Sequence, residues 1–205
     1  TRIKDNKWGV SADGKTLTGP EGFTVDLSKC PAGWNETEGI TDTDIKIGQT
    51  LAQSGTLAYA GNYGKGQEAI LDYYGEKGAF TDVNGKTRTV DYIVKDDGYD
   101  PAKTVPFVDE FLDSEKVFGQ VTLGSPNTLK TYDKLNQRCV PDPYVMSGHP
   151  GWGDPVNHPW VWGHQLAYNT EAILWGGLIQ KKFADKEEVT VAGLIMQNDF
   201  GKAYE

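Results

Sequence analysis

The sequence predicts an α/β fold: a parallel sheet with helices on both faces. Three observations carry this expectation. Apolar stretches of strand length alternate with stretches of helical periodicity from residue 44 onward. The order is strand, helix, strand, helix, strand, helix, strand, which favours parallel pairing through crossover connections. Two of the helices open with N-terminal chemistry just after a strand or its loop, Asp100-Pro101 and Ser125-Pro126.

Taken in order, residues 1–39 are rich in Gly, Pro, Asp, Thr and Lys with little periodicity, and are expected to form an irregular N-terminal extension ending in "CPAGWNETEGITDTD". "DIKIGQTLA" alternates apolar and polar residues and predicts the first strand. The chain stops at Ser54-Gly55 and restarts at Gly61 as a helix to Lys77, with Ala69, Ile70, Tyr73 and Tyr74 at helical spacing and Gly78 placed to end it. A turn at Asn84-Gly85 precedes a strand through Val90, Tyr92 and Val94. Asp100 caps the next helix, whose buried stripe is Val105, Val108, Phe111 and Leu112. "KVFGQV" predicts the third strand, "LGSPNT" leads into a helix from about Asn127 to Asn136, and "PYVMSG" predicts the fourth strand. "SGHPGWGDPVNHPWVWG", residues 147–163, predicts a long loop, functional rather than disordered because it is rich in bulky residues. A helix from Ala167 to Lys181, a strand "VTVAGLI" at 189–195 and the first turn of another helix complete the pattern, as expected of a truncated chain.

The totals narrow the function. The 205 residues suffice for one large or two small domains, 38% of them hydrophobic and 24% charged. No apolar run approaches the roughly 18 residues of a membrane-spanning helix. The net charge of −9 is spread along the chain without a basic patch, which argues against nucleic acid as a partner. "TRIKDNKWGV" lacks the apolar core of a signal peptide, leaving a cytosolic start or a mature chain whose export signal has been removed. Cys30 and Cys139, without a CxxC or a histidine at ligand spacing, fit a disulfide better than a zinc site, two separate buried thiols being the alternative. A bridge would close a loop of about 110 residues, stabilise the fold by about 4–5 kcal/mol in the chain-entropy account, and require an oxidising compartment.

In an open α/β sheet, ligands sit beyond the carboxyl ends of the strands. Ser54-Gly55, Gly124-Ser125, Ser147 to Trp152 and Asn198 to Gly201 occupy that position. Ser54 and Ser125 also have plain roles in turn and cap chemistry. Trp160 and Trp162 alternate around Val161 as residues of a satellite core would, which leaves His149 and Trp152, flanked by Gly148 and Gly151, as the better ligand candidates. Asp96-Asp97 reads as a loop cap or, less simply, a cation site. No G-x-S-x-G elbow, Walker A, dinucleotide fingerprint or H-E-x-x-H is present, and His149, Asp154 and His158 match no metal-ligand spacing. Neither an enzyme nor a cofactor or metal is expected.

"GITDTDIKIGQTLAQSGTLAYAG", "VNGKTRTVDYIVKDDGYDPAKTV", "FGQVTLGSPNT" and "GLIMQNDFGKAYE" together resemble the extracytoplasmic solute-binding proteins of ABC transporters, in the leucine/isoleucine/valine-binding class. The resemblance runs from about Gly39 to the end. It implies a type I periplasmic-binding-protein fold, with residues 40–163 as the first lobe and 164–205 as the hinge crossing and start of the second. It also implies a periplasmic or cell-surface location and delivery of a captured solute to a membrane permease. Carried over residue by residue, the binding set is Ser54 and Gly55 with Tyr59 and Ala60 nearby, Gly124 and Ser125, Ser147 to Gly151, and Phe200. "SGHPGWGDP" departs from the small loop usual after the fourth strand, so His149 and Trp152 are expected to reshape the pocket toward an amino acid, an aromatic or other organic acid, or an amide. A sensory or regulatory ligand-binding domain on the same fold is the alternative.

Overall fold

The computed structural model describes residues 2–204. A short helix, α1 (Arg2–Asp5), precedes β1 (Gly9–Val10), β2 (Thr16–Thr18) and β3 (Thr24–Asp26), which form an antiparallel meander where the sequence predicts irregular chain. Strands this short leave no period-two signature, and the turn between the first two is closed by side chains. Ser11 Oγ accepts from the backbone N–H groups of Lys15 and Thr16, at 3.2 and 3.0 Å. The expected disulfide is present: Cys30 is bonded to Cys139 with Cα atoms 5.6 Å apart, and the Trp34 indole donates to the Cys139 carbonyl at 3.0 Å.

The main sheet is centred on β4 (Asp44–Leu51). It pairs in parallel along its whole length with β5 (Thr89–Asp96), and through Ile47 to Thr50 with β6 (Gly119–Thr122). Beyond β6, Gln120 N–H donates to the Pro141 carbonyl and Met146 N–H to the Thr122 carbonyl, both at 2.9 Å, so β7 (Asp142–Val145) extends the sheet. β8 (Val161–Gly163) pairs in parallel with β7. The spatial order is therefore β5-β4-β6-β7-β8.

Alternation along β4 decides what covers each face. Gln49 and Leu51 face α2 (Gly61–Glu76), which lies so close that a Cβ on Gly64 would come within 3.0 Å of Leu51 and 3.1 Å of Gln49. Gly48 faces the other way, against Phe111, where a Cβ would meet the ring at 2.7 Å. Phe111 follows α3 (Pro101–Glu110), capped as expected by Asp100, whose Oδ1 accepts from Ala102 N–H at 2.9 Å. Val108, Phe111 and Leu112 join Leu135, Val140, Val145, Trp152 and Val161 in the main core.

Four local expectations are corrected. On α2 the residues Ile70, Tyr73 and Tyr74 are more than half exposed. The side against the sheet is instead buried Gly61 and Gly64 with half-buried Gln67, whose Oε1 accepts from the Gln49 amide at 2.7 Å and the Tyr92 hydroxyl at 3.2 Å. The single helix expected from Asn127 to Asn136 is two, α4 (Ser125–Leu129) and α5 (Tyr132–Arg138). At the break, the Thr128 and Thr131 hydroxyls donate back to the carbonyls of Gly124 and Asn127, in competition with regular helix bonding. The 147–163 segment contains a 3₁₀ turn at Pro150–Gly153 and the strand β8. Here Asp142 N–H donates to the Trp160 carbonyl at 2.8 Å, and Trp160 packs edge-on against Trp34, 5.8 Å away. After α6 (Tyr168–Lys182), residues 189–195 form no strand. Leu194 is fully exposed there, and no described residue pairs with that stretch, so its alternation has no sheet edge to act on. The short α7 (Asp199–Lys202) follows.

One buried acid lies between β6 and β7. Asp142 is fully buried and accepts from Thr122 Oγ1 at 2.6 Å, while Gln120 Nε2 donates to the same hydroxyl at 3.0 Å. Asp142 Oδ1 and Gln120 Oε1 have no hydrogen-bond partner among the described residues. Burial pushes the Asp142 carboxyl up to about 7, against the hydrogen bonds from Thr122 and Gln120. A proton on Asp142 is thus favoured by folding, and it supplies a donor where two acceptors lack one. The folded state binds more protons than the unfolded state between pH 3.8 and about 7, so this group's stabilising contribution is full at low pH and is lost as pH rises through that window. Asp142→Asn, which keeps a donor at every pH, is expected to flatten the fall in chemical-denaturation stability between pH 4 and pH 7. Identical slopes in the two proteins would contradict a neutral Asp142.

Candidate functional site

Parallel strands deliver their following loops to one end of a sheet, and the order β5-β4-β6 reverses the winding direction beside β4. The loops after β4 and β5 are tied together by Asp96. Its Oδ1 accepts from the backbone N–H groups of Gln53, Ser54 and Gly98, at 2.7, 3.2 and 3.0 Å. Desolvation opposes ionisation, yet hydrogen bonds from the Ser54 side chain and from these backbone groups hold the carboxyl below its usual range. Asp97 turns inward and is buried, accepting from Tyr99 N–H, Thr104 Oγ1 and Asn127 Nδ2 at 2.8, 2.8 and 2.9 Å. Burial raises its carboxyl despite these bonds. Both acids therefore anchor loops, and no group of three or more His, Cys, Asp or Glu among the described residues could hold a metal ion.

The contact continues across the sheet. Gly124, at φ 102, ends β6 beneath the Tyr99 ring, where a Cβ would stand 2.3 Å from Cε2. Ser125 and Ser147, both fully buried at the ends of β6 and β7, share a hydrogen bond of 2.8 Å between their hydroxyls. His149 N–H donates to Ser147 Oγ at 3.2 Å. Gly148 lies under the Tyr168 ring, where a Cβ would come within 2.6 Å. Ser54, Asp96, Gly98, Tyr99, Gly124, Ser125, Ser147 and His149 thus form one unbroken run of contacts.

Above this run is a cavity of about 300 Å³, bordered by Tyr59, Tyr63, Tyr99, Leu123, Gly124, Met146, Tyr168 and Phe200 among others. Tyr59, Ala60, Gly124 and Phe200 are the sequence-predicted site residues that border it. Ser54 and Gly55 are exposed on the loop after β4, and Gly55 takes φ 74. Ser125 and Ser147 lie beneath, with Gly148. His149 is half-buried and caps the Pro150–Gly153 turn, Nδ1 accepting from Gly151 N–H at 3.0 Å. Burial lowers its imidazole, and Asp199 opposes that shift. Trp152 points into the core, its ring 5.7 Å from Tyr132, and does not border the cavity. Its flanking glycines suggested a ligand wall, whereas burial against α5 and β8 decides its place. Phe200 is set by Asn198, whose Oδ1 accepts from Phe200 N–H at 3.1 Å, and its ring lies 5.4 Å from Tyr168. Tyr63, Tyr99 and Tyr168 were not singled out in the sequence; Gly124 and Gly148, small residues where rings approach closely, are the only trace of the last two.

A family model described as periplasmic binding protein matches residues 44–195. Among solved structures, the chain is similar to a branched-chain amino acid ABC transporter protein from Thermus thermophilus with bound valine, at TM-score 0.69 and 20% identity over 79% of this chain and 40% of that one. It is similar to a fatty acid ABC transporter substrate-binding protein from Thermomonospora curvata at TM-score 0.69 and 19% identity, over 85% of this chain and 42% of the other. A solute-binding protein from Rhodopseudomonas palustris BisB5 in complex with 3,4-dihydroxybenzoic acid matches at TM-score 0.56 and 20% identity, over 70% of this chain and 37% of the other. The chain thus spans about two-fifths of the length of these structures. None of the curated proteins matches it.

Ser125→Ala removes one half of a buried hydroxyl pair and is expected to lower unfolding stability by about 1 kcal/mol, read from the urea midpoint. An unchanged midpoint would contradict the Ser125–Ser147 bond.

Proposed function

The chain belongs to the periplasmic binding protein family, and from that premise we propose that it captures a small organic solute, an amino acid or a related acid or amide, for an ABC permease. The protein grips the solute by hinge closure and performs no chemical step on it. Residues 40–163 act as the first lobe and 164–205 as the crossing and the beginning of the second. The observation that carries this reading is the continuous rim from Ser54 to His149, with the cavity directly above it.

In this mechanism each part of the rim has a distinct role. The Ser125–Ser147 bond is buried, so it fixes the spacing of the β6 and β7 ends rather than meeting solute. The β4 loop, with Ser54, Gly55 and Tyr59, is exposed and forms the entrance. Phe200, carried by α7, and Tyr168 border the cavity from the second-lobe side while Tyr99 and Gly124 border it from the first, so solute bound there touches both sides of the hinge. The chain spans about two-fifths of its solved relatives, and closure belongs to the whole protein. The Cys30–Cys139 bridge supports an extracytoplasmic, oxidising location.

The test is a thermal-shift screen of the full-length protein against amino acids, aromatic acids and amides. A solute present at 100 times its dissociation constant is expected to add about 2.7 kcal/mol of stability. The absence of a shift with every member of the panel would overturn solute capture.

A further inference from the structure

Resting on the reading of the rim cavity as a solute site, we infer that the site selects a small aromatic acid or phenol over an aliphatic solute or an α-amino acid, and that Tyr99 sets this choice. Tyr99 has φ 66, a left-handed conformation that a bulky residue adopts only when its surroundings impose it. Those surroundings are explicit. Its N–H is held by Asp97 at 2.8 Å, and Asp97 is held by Thr104 and Asn127. This backbone lays the ring on Gly124, where any side chain would collide with it.

The same device recurs one strand over, with the Tyr168 ring on Gly148. The ends of β6 and β7 therefore each present a flat aromatic ring. Tyr59 and Tyr63, edge to face at 6.5 Å, and Phe200 supply further rings. A planar ring can stack on such a face or meet such an edge.

The polar chemistry agrees. No Asp, Glu, Lys or Arg side chain borders the cavity among the described residues. Its polar border is His164, Gln165 and the tyrosines, so an α-amino acid would desolvate two charged groups there without an oppositely charged side chain, an aromatic acid one and a phenol none. Burial raises the Tyr99 phenol well above its ordinary range, so its hydroxyl stays protonated.

Calorimetry on the full-length protein with 4-hydroxybenzoate, benzoate, cyclohexanecarboxylate and L-leucine tests this inference. Cyclohexanecarboxylate matches benzoate in size and charge but lacks an aromatic face. Benzoate and 4-hydroxybenzoate are expected to bind about tenfold more tightly than either non-aromatic probe. Tyr99→Leu is expected to erase most of that ratio, and Tyr99→Phe to keep it. Equal or tighter binding of cyclohexanecarboxylate or leucine would overturn the aromatic preference and leave solute capture standing. Binding of none of the four would overturn the aromatic preference, and the wider thermal-shift panel then decides solute capture by itself. An unchanged ratio in folded Tyr99→Leu would remove Tyr99 from the role, and if that variant fails to fold the wild-type ratio still decides the preference.

Discussion

The arrangement of the rim depends on β4 being paired in parallel on both edges. Because Ile47 to Thr50 bond to β6 on one side while the whole strand bonds to β5 on the other, three chain segments distant in sequence end at the same level. Their loops have nowhere else to go. The Asp96 carboxylate then locks the loops after β4 and β5 together, and Tyr99 carries the connection over to Gly124. Were β4 an edge strand, β5 or β6 would lie a full strand spacing further from it.

A second feature is the amount of polar chemistry in the layer between the sheet and α3 and α4. Asp97, Thr104, Gln120, Thr122, Asn127 and Asp142 are all buried, and most of their bonds are to one another. Such groups are costly to bury and give little net stability, but they are intolerant of displacement. Their position suits a protein whose apolar core, around Phe111 and Leu135, is a separate cluster from the rim. The core holds the lobe together; the polar layer fixes where the strand ends stand relative to one another.

How much of this was legible in the sequence follows from which interactions are local. β4, β5, β6 and β7 were readable because each is a short apolar run set off by turn chemistry, and α3 was readable from Asp100-Pro101 and its buried stripe. The outward side of α2 was not, since Ile70, Tyr73 and Tyr74 have core-like chemistry and only the close approach allowed by Gly64 turns the other side inward. The meander at the N-terminus is made by side-chain turns too brief to show a period. At the site, the Ser-Gly bends announced themselves by composition. The rings of Tyr99 and Tyr168 did not, because their places are set by a left-handed backbone in one case and by packing on Gly148 in the other.

Native-state hydrogen exchange tests the central role of β4 most directly. Amides of Gly48 to Leu51, bonded within the sheet and covered on both faces, are expected to exchange only through global unfolding, while those of 189–195 exchange within the shortest labelling time. If the β4 amides instead exchanged as fast as those of the β1–β3 meander, with β5 or β6 the most protected, β4 would not be the strand on which the rim is built.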